Sequence, residues 1–99
     1  MLNTNIVSKW NYGNYSNNNY GSHSLAFRDN FNNTYYFSYD TLVAFIGDEG
    51  LVIRENVWGN TTGKHLNWIE KDKSIRVNKE VFEAKLSALR NKHIKSKVA

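Results

Sequence analysis

Between Ser24 and Asn56 the chain repeats one pattern: five or six residues rich in β-branched and aromatic side chains, then a turn built from Asn, Asp or Gly. Segments of that length, closed by such turns, are too short for stable helices and have the form of antiparallel strands joined by tight connections. Ser24–Arg28 and Thr34–Tyr39 are the first pair, with Asp29-Asn30-Phe31-Asn32-Asn33 as their hairpin loop. Thr41–Ile46 and Leu51–Asn56 follow, separated by Gly47-Asp48-Glu49-Gly50, and Ile6–Trp10 is a candidate strand ahead of them. Alternation puts Leu25 with Phe27, Tyr35 with Phe37 and Tyr39, and Leu51 with Ile53, each set on one face of its strand. Val52 and Arg54 point the other way. The expected architecture is α+β: a small twisted antiparallel β-meander of four to six strands, covered by one C-terminal α-helix.

That helix is read at Asn78 to Lys92. Val77 and Asn78 form a staple and an N-cap, and Phe82 falls at the position that packs back on Val77. Phe82, Leu86 and Leu89 share one arc of the wheel, flanked by Val81 and Ala88. Glu80 and Glu83 lie near its start and Arg90 and Lys92 near its end, as the helix dipole prefers. Residues 93–99 are expected to be a basic, frayed tail. Residues 10–22 contain an Asn/Tyr-rich stretch without a periodic apolar face and are expected to form a loop.

Ninety-nine residues make a single domain, 1–99, because two cores of that size would each bury too little surface. Cysteine is absent, which excludes disulfides and thiolate metal sites. The longest apolar run, Leu42 to Ile46, is too short to cross a bilayer, and the first twenty residues lack a signal-like apolar core. The expected location is therefore cytoplasmic. Net charge is +4, unevenly spread. Residues 1–63 hold three Lys/Arg against five Asp/Glu, whereas residues 64–99 hold ten against four. A basic half of this kind suits a polyanion or an acidic protein as partner, or simply a solvated lysine-rich helix.

Several chemistries fail on spacing. Gly59 to His65 departs from the phosphate-binding P-loop twice, with three residues between its glycines and no Ser or Thr after Lys64. A weaker nest of backbone amides around Gly63-Lys64 stays open. His23, His65 and His93 lack metal-ligand spacing. Glu83 and Lys85 would point about 200° apart on a helix, too far to share a metal and a water. No nucleophile elbow occurs. The expectation is a protein without catalytic residues, metal or cofactor.

The stretch from Glu55 to Ile69 is different, with two indoles, two glycines, two threonines, a lysine and a histidine in fifteen residues. Together, SYDTLVAF, GLVIREN and WGNTTGKHLNWI resemble a family of small uncharacterised proteins from phages and other mobile elements. The likeness runs from the Tyr-Gly-Asn loop to Ile69. It implies a viral accessory role, in the cytoplasm of an infected bacterial host, and no particular chemistry. The expected function is non-enzymatic and stoichiometric: inhibition of a host or anti-phage defence protein, anti-CRISPR-like, or sequestration of a nucleotide signal. The working surface is expected to be a presented loop carrying Trp58, Asn60, Thr61, Thr62, Lys64 and His65, joined by Tyr12, Tyr15 and Tyr20. The alternative is a nucleic-acid-binding module in which Lys71, Lys73, Arg76, Lys85, Arg90 and Lys92 contact phosphates, or a virion assembly protein. The simpler reading makes Trp58, Leu66, Trp68 and Ile69 a plug on the open side of the sheet; it is the better account of Trp68, while Trp58 stays open to either role.

Overall fold

The computed structural model describes residues 6–13 and 23–98, the side chains of 92–98 excepted. Five strands, β1 (Ile6–Asn11), β2 (Leu25–Asp29), β3 (Thr34–Ser38), β4 (Thr41–Gly47) and β5 (Gly50–Ile53), lie side by side in chain order. Every neighbouring pair is antiparallel, so the sheet is the meander that the turn spacing predicts. Gly47 pairs with Gly50 across the last turn, where Gly50 at φ 95° takes a backbone conformation that side chains rarely adopt. Tyr39 leaves the strand with φ 55°, so it does not continue the alternation of Tyr35 and Phe37.

Two helices cover this sheet, one on each face, where the sequence led to the expectation of one. On the first face, α2 (Lys79–Val98) brings Phe82 and Leu89 onto Tyr35, Phe45 and Val52, with Phe37, Leu42, Val77 and Leu86 around them. Asn78 caps α2 as its sequence implies, its Oδ1 accepting from the Val81 amide at 3.0 Å. The backbone of α2 is helical through Val98. On the second face, α1 (Asn60–Ile69) places Leu66 against Val43, Ala44 and Ile53, with Tyr36, Leu51 and Ile69 beside them.

A bulge in β4 serves both layers. Tyr36 pairs with Ala44 and Phe37 with Leu42, which leaves Val43 as the extra residue. Val43 and Ala44 therefore both turn toward α1, while Leu42 and Phe45 turn toward α2. The segment before α2 is tied to β5, with the Val77 amide donating to Ile53 O and the Glu55 amide to Val77 O, both at 2.9 Å. At the opposite edge β1 is exposed except at Ser8 and carries Ile6, Val7 and Trp10 into solvent.

Candidate functional site

The connection from β5 to α1 is exposed at every residue from Glu55 to Thr61. One side chain fixes its shape. Asn56 Oδ1 accepts from the Trp58 amide at 3.0 Å and the Gly59 amide at 3.3 Å, and its Nδ2 donates to Gly59 O at 3.0 Å. Such an Asx turn orders a short loop without burying it. Val57 and Trp58 are thereby held in solvent at 61% and 41% exposure. The Arg54 guanidinium lies 4.8 Å from the centre of the Trp58 ring and 6.0 Å from that of Phe82. A cation in this position is worth about 0.5–1 kcal/mol at an exposed site. Its main effect here is to back the indole. Arg54 Nε is shielded from water without a hydrogen-bond partner among the described residues. Val81, at the start of α2 next to Phe82, is also exposed.

Behind this connection the residues read as a loop form α1, and two of them face inward. Asn60, Thr61 and Lys64 are exposed on the helix. Thr62 and His65 are buried, contrary to the expectation that they are presented. Their polar atoms have a partner in the sheet: Ser38 Oγ lies 2.6 Å from His65 Nδ1 and 2.9 Å from Thr62 Oγ1. One hydroxyl thus satisfies both, which removes the cost that burial would otherwise carry. Tyr12 is half-buried beside them. Its hydroxyl donates to Phe37 O at 2.8 Å and its ring meets Tyr36 edge-on at 5.2 Å. Tyr15 and Tyr20 lie outside the described residues. The Trp68 ring, half-buried, lies 5.6 Å from that of His65.

A family model matches residues 7–84, described as a family of unknown function (DUF8033). The chain belongs to this family. No match was found among curated proteins or among solved structures. The match takes in the sheet from the second residue of β1, α1 and the start of α2, so the Trp58 turn of the DUF8033 chain falls within the family.

The Ser38–His65 pair has the separation of a nucleophile and its base, but both side chains are sealed, at 2% and 0% exposure. With no room for a substrate carbonyl at Ser38, the pair acts as a polar joint between the sheet and α1. Burial, helped by the nearby His23, holds the His65 pKa below its ordinary 6.5. The folded state therefore keeps His65 neutral where the unfolded chain would bind a proton. This contribution to stability is complete above about pH 6.5 and falls as pH drops below it. A urea midpoint that declines from pH 7 to pH 5.5, with a weaker decline in His65→Gln, is the expected result.

The cations expected to track phosphates separate into two groups. Lys71, Lys73 and Arg76 lie on the connector between α1 and α2, whereas Lys85 and Arg90 lie on α2. The side chain of Lys92 is beyond the described ones. Among the described residues no group of His, Asp and Glu could hold a metal ion, and no helix is long and apolar enough to cross a membrane. Arg54, Asn56 and Val57 escaped the sequence reading of the site. The Asn-x-Trp-Gly spacing of an Asx turn was the signal for Asn56.

Proposed function

We propose that this protein is a non-enzymatic binder that acts stoichiometrically, capturing a protein partner on the surface around Trp58. The observation that carries the reading is the indole itself, ordered by the Asn56 turn, backed by Arg54 and left open to solvent. Trp and Arg are the side chains most enriched at binding hot spots, and an anchor ordered before binding loses little freedom on docking. Asn60, Thr61 and Lys64 adjoin it as short polar and charged contacts. The net +6 carried by residues 64–99 favours an acidic surface on the partner. The resemblance to phage and mobile-element proteins supports a host or anti-phage defence protein as that partner. Inhibition of the anti-CRISPR kind would follow from occupying it.

The test is protection of a targeted phage in bacteria with active CRISPR interference, with and without expression of this chain. The wild type should raise plating efficiency and Trp58→Ala should abolish the gain. Truncating a hot-spot residue costs about 2 kcal/mol or more, roughly thirtyfold in affinity. Lack of protection by the wild type counts against the defence partner, and full protection by folded Trp58→Ala counts against the surface.

A further inference from the structure

Asn56 also borders an open cleft of about 350 Å³, with Glu55, Gly63, Asn67, Lys73 and Arg76 as its other walls. Gly63 lies on α1 where a Cβ would come within 3.0 Å of Asn56 Nδ2, so the bare backbone lets the helix approach the turn. Across the cleft, Arg76 Nη2 donates to Asn67 Oδ1 at 2.9 Å and to Glu70 O at 3.4 Å. Both acceptors are neutral. They fix the guanidinium in place without cancelling its charge.

The carboxylates closest along the chain are used on the backbone instead. Glu70 Oε2 accepts from the Asp72 amide at 3.0 Å, and Asp72 Oδ1 accepts from the Ser74 amide at 3.0 Å and its hydroxyl at 2.6 Å. Those bonds to Ser74 also hold the Asp72 pKa below the usual carboxylate range. Glu55 lines the cleft without forming an ion pair to either cation. Among the described residues, Lys73 and Arg76 thus face one cavity with neither charge matched. Arg76 Nε is also shielded from water and unpartnered, so this guanidinium is less well solvated than one on an open surface. An anion reaching it gains more than it would in bulk water.

We infer that this cleft binds a phosphate monoester, the terminal phosphoryl group of a small metabolite that also carries hydroxyl or amino groups. Two cations suit a dianion. Because the Asn67 carbonyl is turned to Arg76, its amide nitrogen is left to donate to a phosphoryl oxygen. Glu55 in the same cleft accepts from the ligand's hydroxyl or amino groups and disfavours a bare polyanion. The inference does not rest on the Trp58 reading: Asn56 borders both, but the ligand contacts assigned here come from Glu55, Asn67, Lys73 and Arg76, and the ligand is of a different class.

An amide NMR titration of the intact chain with adenosine monophosphate tests it. Saturating shifts at Gly63, Asn67 and Lys73 are expected, with a dissociation constant near or below about 1 mM. Lys73→Gln, at an exposed position, should weaken binding about tenfold, as expected for one charge-assisted contact. Acetate and dimethyl phosphate should each bind about tenfold more weakly than the monoester, for want of its second charge. Lys85→Gln, on α2 outside the cleft, should titrate as the wild type does. Arg76→Gln should weaken binding too, but it also loses the bonds to Asn67 and Glu70, so Lys73→Gln decides. Failure to saturate, unchanged affinity in Lys73→Gln, or an equal response to acetate or dimethyl phosphate would overturn the inference.

Discussion

Phe82→Ala will lower the stability of this domain by roughly 3–5 kcal/mol, the range for emptying an aromatic site in a packed core. Phe82 is buried and meets Phe45 edge-on, with ring centres 5.3 Å apart, in the layer where α2 lies on the sheet. Truncation removes that contact and one of the two rings facing Arg54. A domain of this size has only about 5–15 kcal/mol in total, so a large fraction is at stake. Val81→Ala is the matched control, since its exposed neighbour should cost no more than about 0.5 kcal/mol. Urea midpoints for the pair give the answer. Equal midpoints would mean that α2 is not seated through Phe82.

Asp29→Ala should be comparably damaging, although the change is made in a hairpin. The carboxylate is buried, and its Oδ1 accepts from the amides of Phe31 and Asn33, both at 2.9 Å. Its Oδ2 accepts from the Tyr35 hydroxyl at 2.9 Å and from Asn33 Nδ2 at 3.3 Å. Burial and the bond to Asp29 push the Tyr35 hydroxyl well above its ordinary pKa, so it remains a donor at any working pH. Without the carboxylate, the Asn33 amide and the Tyr35 hydroxyl lose the buried acceptor they share, at about 1–3 kcal/mol each. A combined loss of roughly 3–5 kcal/mol is expected in thermal or urea denaturation. A loss below about 1 kcal/mol would show that water replaces the carboxylate at no cost.

The meander was legible because its strands alternate and its turns carry Asn, Asp and Gly, and α2 because Asn78 and the Phe82-Leu86-Leu89 arc mark it. The first helix was not. Thr61, Thr62 and Gly63 are weak helix formers, its N-cap Gly59 makes no side-chain cap bond, and neither end carries a charge that favours the dipole. What holds it is tertiary: Leu66 and Ile69 on the sheet, and Thr62 and His65 on Ser38. Their spacing, 62, 65, 66 and 69, is the i, i+3, i+4, i+7 signature of a buried helical face, masked because two of its members are polar. The same masking explains the misplacement of Thr62 and His65 at the surface. Polar side chains in a sequence suggest solvent, whereas here Ser38, distant in the chain, supplies their partner. Asp29 looks like turn punctuation in the sequence for an equivalent reason, since nothing local reveals that Tyr35 and Asn33 converge on it.

The turn at Trp58 is the surface proposed to meet the partner. A photo-reactive amino acid placed at position 58, and in a second variant at position 85, tests it in bacterial cells that express this chain. Irradiation should give one discrete adduct from position 58, of a mass corresponding to one copy of this chain and one partner, and none from position 85. An adduct from position 85 with none from position 58 would place the contact on α2 and contradict the account.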